Sequence, residues 1–217
     1  MKMNNFDKIL EMINNYQLSY GIEQNILSCL HDTSKSNAES LETYVYNGMN
    51  DLDVIDMDVI ARYSYKRIKK PDNPEEHPVN SADAFLVNYN NDWYFIEFKD
   101  AQVRNDNRAL KDNIIKKAYS NWYMLMEILY EMKDTEYKYS DFDFNDPVKF
   151  AQEHVFYILV CTLDKNPSMY KLIKGSQLAK TKYTPPFMCR LKGYIFKDAF
   201  AYTEEFLERN LVKGFTY

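Results

Sequence analysis

At 217 residues the chain has the length of one domain, and its 46% hydrophobic and 27% charged residues are those of an ordinary globular protein. Its 19 Tyr and 13 Phe supply apolar area that a wholly disordered chain lacks, while only five Gly and seven Pro exclude a collagen-like or low-complexity architecture. A net charge of −5 excludes a strongly basic nucleic-acid binder as a description of the whole chain, though not a local basic patch.

No apolar run approaches the roughly 18 residues of a membrane span, and the first residues carry no apolar signal core. The expectation is a cytoplasmic protein with no membrane partner. Cys29, Cys161 and Cys189 are odd in number and far apart. They read as reduced core thiols, not as a disulfide framework or a zinc ribbon.

In chain order, residues 4–31 show helical periodicity in two runs, Phe6, Ile9, Leu10, Ile13 and then Ile22, Ile26, Leu27, Leu30, with Gly21 as the break between them. Ser36 or Asn37 can cap a helix from Ala38 to about Asn47 or Gly48. Residues 51–60 fit either period, and 61–68 alternate as a strand does. Residues 71–80 are a loop on turn chemistry. From Asp83 a strand, a turn at Asn90, Asn91 and Asp92, and a second strand over residues 93–99 make a hairpin. A long amphipathic helix follows over about 108–132, with Leu110, Ile114, Ala118, Leu125, Leu129 and Met132 on one face. Residues 133–150 read as a charged connection. Residues 154–163 are a near-continuous apolar run, hence a fully buried strand. A strand over about 190–202 and a helix capped by Thr203 close the chain. The order is mixed α/β, with the long helix as a crossover of the kind parallel pairing requires.

The chemistry concentrates in the hairpin. Asp83 opens one strand, and Glu97 and Lys99 lie two apart on the next, so both point to one face. Phe98 points the other way with Ile96 and Tyr94. Two charges on one face of an apolar strand break the local pattern, and such breaks mark functional sites. Hairpin parity decides whether Asp83 joins them. A two-residue turn pairs Asp83 with Phe98 and turns it away, whereas a three-residue turn brings it to the face of Glu97 and Lys99. Two carboxylates, with the backbone carbonyl of Phe98, can hold a hard divalent cation such as Mg²⁺ or Mn²⁺. Such an ion polarises a phosphate and acidifies bound water, and Lys99 can orient that water or stabilise developing charge.

Asp83 followed by Glu97-Phe98-Lys99 resembles the signature of the PD-(D/E)xK nuclease superfamily, with Ala82 where that superfamily usually has Pro. The resemblance implies a restriction-endonuclease-like αβββαβ core with a mixed sheet flanked by helices, here over residues 37–165 with 61–68 as the first strand. Residues 1–36 are then an N-terminal helical extension, and 166–217 a C-terminal strand and helix of the same domain. It implies a Mg²⁺- or Mn²⁺-dependent nuclease acting on DNA, with Asp83 and Glu97 as metal ligands, Lys99 as the catalytic lysine, and a possible homodimer. The superfamily's frequent helical Glu points to Glu42 on the 38–49 helix. Lys111 in the first turn of the long helix, with Gln102, Arg104 and Arg108 near it, is placed to contact substrate. The triplet alone is weak, since Glu131-Met132-Lys133 and Glu136-Tyr137-Lys138 also match it. Context singles out Glu97. The basic run Arg62, Lys66, Arg67, Lys69 and Lys70 could track a phosphate backbone or be a solvated edge. The competing reading is a catalytically silent nuclease-fold binding module, or a component of a nuclease toxin and inhibitor pair.

Overall fold

The structure is a computed structural model and describes residues 4–36, 42–48, 52–73, 76–103 and 107–215. Helix α1 (Asn5–Ser19) starts at Asn4, whose side chain accepts the Asp7 N–H, and buries Ile9, Met12, Ile13 and Tyr16 on one face. Gly21 then adopts φ +68° and turns the chain out of the helix. The second apolar run is not the expected helix. It forms β1 (Leu27–Cys29) followed by the four-residue α2 (Leu30–Thr33).

The expected helix over 38–49 is also corrected. Residues 37–41 and 49–51 lie outside the described residues, but within 42–48 the chain is extended. There β3 (Thr43–Tyr44) pairs antiparallel with β2 (Lys35–Ser36). Thr43, Tyr44, Val45 and Tyr46 are a run of strand formers, and Val45 and Tyr46 are buried. The first strand of the main meander is β4 (Asp53–Asp56), not 61–68. Asp56 ends that strand and caps a helix, its carboxylate accepting the Val59 N–H at 2.9 Å. The helical path runs through α3 (Met57–Val59), a π-helical segment Ile60–Tyr65 and α4 (Lys66–Lys69). Burial of Ile60, Ala61, Ser64 and Tyr65 follows helical spacing and overrides the apparent alternation.

The hairpin of β5 (Ala84–Val87) and β6 (Trp93–Lys99) forms as expected, and α5 (Arg108–Met132) has the expected bounds, with Asn107 capping the Leu110 N–H. Residues 133–154, read largely as a connection, include α6 (Pro147–His154), capped by Asp146. Strand β7 (Val155–Cys161) is wholly buried, and α7 (Pro167–Leu178) follows it. The last strand is shorter than expected. Residues 186–196 form a 3₁₀ turn (Pro186–Met188) and further turns before β8 (Asp198–Tyr202). The chain continues through α8 (Glu204–Leu207), a π-helical stretch Glu208–Val212 and α9 (Lys213–Phe215). Thr203 takes the cap position of α8 without a side-chain hydrogen bond to the helix.

The six strands order as β1-β4-β5-β6-β7-β8. Pairing is antiparallel from β1 to β6 and parallel from β6 to β8. The sheet is therefore mixed and flanked by helices. Helices α1 and α5 pack together on the face that bears Trp93 and Phe95, where Trp93 meets Trp122. Phe215 closes on Tyr94 from the opposite face. Both faces of β6 are thus covered, which is why Trp93, Phe95, Ile96, Glu97 and Phe98 are all buried. Among the described residues, no helix is long and apolar enough to cross a membrane.

The hairpin turn has three residues, Tyr89 to Asn91, between Asn88 and Asp92, which are joined by the Asn88 N–H to the Asp92 carbonyl. Asn91 sits at φ +62°, and its side chain accepts from Trp93 Nε1 and Tyr139 Oη and donates to the Asp141 carbonyl. Asn tolerates this left-handed conformation better than other non-Gly residues. In urea denaturation, Asn91→Ala is expected to cost about 2–4 kcal/mol, combining a backbone penalty with lost hydrogen bonds. Asn91→Gly keeps the backbone and is expected to cost about half as much. Equal costs for the two would show that the positive φ contributes nothing.

Candidate metal centre

The turn sets the register as Ala84↔Ile96, Phe85↔Phe95, Leu86↔Tyr94 and Val87↔Trp93. Extending it by one residue places Asp83 opposite Glu97. The odd-length turn puts the Asp83 carboxylate on the face shared by Glu97 and Lys99. Asp83 is held there by two hydrogen bonds to β6. Its N–H donates to the Ile96 carbonyl at 3.0 Å, and its Oδ2 accepts the Phe98 N–H at 2.6 Å.

A fourth group, missed in the sequence, completes the cluster. Lys117 of α5 brings Nζ to 2.8 Å from Glu97 Oε1 and 3.5 Å from Asp83 Oδ1. Lys99 Nζ also contacts Glu97 Oε1. Side-chain exposure is 0% for Glu97, 14% for Lys117, 16% for Asp83 and 17% for Lys99, so only Glu97 is fully sealed from solvent. Glu97 Oε2 is buried with no hydrogen-bond partner among the described residues. Beside the cluster, the Tyr157 hydroxyl donates to the Ile114 carbonyl at 3.1 Å.

A helical wheel explains why Lys117 escaped notice. At about 100° per residue, Lys111 falls within the apolar arc of Ile114, Ala118 and Leu125 while Lys117 only flanks it, so the wheel favours Lys111. The sheet reverses that order by placing Glu97 beneath the Lys117 flank. The run Ile114, Lys117, Asn121, Leu125 carries the signal, because its 3- and 4-residue steps put Lys117 in line with buried positions. The Asn121 side chain donates to the Lys117 carbonyl at 2.6 Å, inside this packed stretch.

The charges shift one another. Burial, reinforced by the Glu97 charge, pushes the Asp83 carboxyl up to about 8 against the pull of Lys117, Lys99 and the Phe98 N–H. Burial pulls the Lys117 ammonium down, but Glu97 and Asp83 outweigh it and hold it above the ordinary lysine range. The Tyr157 phenol is pushed well up by burial and then by Glu97 and Asp83.

The other residues singled out in the sequence lie elsewhere. Glu42 precedes β3, is exposed and pairs with Lys35 across the small β2–β3 sheet. It is not on a helix. Lys111 and Gln102 line a cleft of about 430 Å³ with Lys165 and Tyr183. Arg108 is exposed and reaches Asp112 at 3.4 Å. Arg104 lies outside the described residues. The basic run is partly tied down within the fold. Lys69 pairs with Glu127 and Glu131 of α5, Tyr65 donates to Glu127, Arg62 faces Asp58 at 3.6 Å, and Lys70 faces Glu76 at 3.3 Å. A second cleft, of about 590 Å³, runs between Arg62, Tyr63, Lys66 and His77 and reaches Lys117. Asp58 lines it too and accepts from the Ser81 hydroxyl, two residues before Asp83. Sequence reading missed Asp58 because it assigned no helix at that point.

Among the described residues, no three His, Cys, Asp or Glu side chains gather as a metal cluster. What is present is a pair of hard oxygen donors, one with an oxygen that nothing in the described chain satisfies. That donor set fits Mg²⁺, which is held by one or two carboxylates and keeps several waters, and does not fit a soft metal.

The Asp83 shift makes stability pH-dependent in the metal-free protein. Its proton is retained on folding, so its contribution is full below the ordinary value of 3.8 and is lost as pH rises through about 8. Thermal melts in chelator are expected to show Asp83→Asn gaining on the wild type between pH 5 and 8, by on the order of 1–3 kcal/mol. Parallel pH profiles for the two proteins would contradict this.

Against this geometry, comparison with protein-family models, with curated proteins and with solved structures finds no match to the chain, so the functional reading rests on the arrangement of these side chains.

Proposed function

We propose that the chain is a Mg²⁺- or Mn²⁺-dependent nuclease of the restriction-endonuclease-like fold that hydrolyses DNA phosphodiester bonds. The observation that carries this reading is the meeting of Asp83 and Glu97 at one ammonium, with Lys99 on the same strand face as Glu97. The order of the sheet supports it too. An antiparallel meander β4-β5-β6 leads through the crossover helix α5 to the parallel strand β7.

In this reading Asp83, Glu97 and the Phe98 carbonyl supply the oxygen ligands. A bound divalent cation supplies charge stabilisation for the phosphate and a water of lowered pKa. Asp83 must give up its proton to act as a ligand, so uptake of the cation improves with rising pH. The hairpin fixes both carboxylates on backbone that is hydrogen-bonded on two sides, which limits reorganisation during the reaction. Lys99 orients the attacking water or stabilises charge on the phosphoryl oxygens. Lys117 lines one cleft and Lys111 the other, and the two residues lie about 9 Å apart along α5 at 1.5 Å per residue. Arg62 and Tyr63 in one, and Lys111 and Gln102 in the other, offer charge and a stacking surface.

One observation favours a second reading, a silent binding module. Glu97 is fully buried, and two lysines already contact it. Cleavage of supercoiled plasmid and single-stranded DNA in Mg²⁺ or Mn²⁺ separates the two. The nuclease reading expects metal-dependent cutting that falls at least about 100-fold in Asp83→Ala and Lys99→Ala. Cutting that survives both substitutions rejects this site. Folded wild-type protein that neither cuts nor binds the ion leaves the silent module.

A further inference from the structure

We infer that the Lys117 ammonium is a tethered stand-in for the divalent cation, resting in the cation's seat and leaving it when the ion binds. The inference rests on the nuclease reading of the carboxylate pair and adds a competitor built into the chain. Four features of the structure lead to it.

The first is position. Among the described residues, Lys117 Nζ is the charged group that touches both carboxylates, at 2.8 Å from Glu97 Oε1 and 3.5 Å from Asp83 Oδ1. A cation bridging the same two side chains has to occupy the same space. Lys99, in contrast, contacts Glu97 and not Asp83, so it stands at the side of the seat.

The second is need. A completely buried carboxylate is unstable without a counter-charge. Glu97 is such a group, and without a metal the counter-charge must come from the protein. The third is charge balance. With Asp83 ionised, as it must be to act as a ligand, two carboxylates and two ammoniums are neutral, and a divalent ion added to them leaves the pocket with an excess of two positive charges. Like charges at this range in a poorly solvated pocket repel strongly, so one ammonium must leave.

The fourth is an exit. Lys117 also lines the cleft shared with Asp58, Arg62 and Tyr63, so its flexible four-carbon stem can swing the ammonium there without moving the backbone. The displaced charge then joins the wall that faces a polyanionic strand. Emptying the seat and preparing the substrate wall become one event. Lys99 has the opposite task and stays at the centre.

Mn²⁺ binding measured by calorimetry on metal-free protein tests this, in wild type, Lys117→Met, Lys117→Gln and Lys99→Met. The Gln variant keeps an amide that can donate to Glu97, so it guards against loss of folding in the Met variant, and circular dichroism checks each fold. Both Lys117 variants are expected to bind Mn²⁺ about tenfold or more tightly than wild type, with a smaller change in Lys99→Met. Wild-type binding with unchanged or weaker affinity in the Lys117 variants overturns the inference and leaves the cation site standing. No binding by any folded variant at about 10 mM Mn²⁺ removes the cation site and the inference together. A second readout needs no substitution. Acetylation of Lys117 in the wild type, followed by peptide mass spectrometry, is expected to rise several-fold when Mg²⁺ is added. Unchanged labelling in protein that demonstrably binds the ion also overturns the inference.

Discussion

The left-handed conformation of Asn91 holds a three-residue turn in place, and that odd count decides which side chains of β5 and β6 share a face. A strand has a period of two, so a shift of one residue would exchange the faces completely. Phe98 would then face Asp83, and Glu97 would lose its carboxylate neighbour. The Asn91 side chain joins the turn to Trp93 and to Tyr139, almost fifty residues on, so the register is set by contacts from outside the hairpin as well as within it. The candidate centre depends on this turn although no atom of the turn is near the carboxylates.

The second constraint is electrostatic. Covering both faces of β6 gives the sheet its core, and it also seals Glu97 away from water. A carboxylate in that position would destabilise the fold unless something neutralised it. Lys99 comes from the same strand and Lys117 from the crossover helix, so neutralisation is shared between a local and a distant group. Asp83 responds differently. It takes its backbone hydrogen bond from Phe98 and is pushed towards its protonated form. Asp83 thus stands near a charge change at neutral pH.

Much of this was legible from local pattern. The hairpin, the long helix with its apolar face and the buried strand of residues 155–161 follow from short-range periodicity. Gly21 marked a helix end correctly. The misreadings have specific physical causes. Residues 61–68 alternate, but Asp56 caps a helix just before them, and a cap with three-dimensional packing outweighs a weak alternation. Residues 42–48 were read through a cap and an apolar spacing, while their run of Thr, Tyr and Val favoured an extended chain. Helices α6 and α7 each begin with Asp or Asn followed by Pro, a start signal present in the sequence and not used. At the centre, Asp83, Glu97 and Lys99 could be read from strand spacing once the turn length was specified. Lys117 could not be preferred to Lys111, because a helix wheel does not show which flank the sheet lies under.

The strand order carries a consequence for how the chain reaches this state. Strands β5 and β6 are neighbours in sequence and pair through a short turn, so Asp83 and Glu97 can meet early, in water, where their charges are cheap to hold. Pairing of β6 with β7 must await more than fifty intervening residues and the docking of α5 between them. The docking that dehydrates Glu97 is the same event that delivers Lys117. Desolvation and neutralisation therefore arrive together late in folding, and a nascent chain that stops short of α5 exposes a hydrated acidic hairpin without its helical counter-charge.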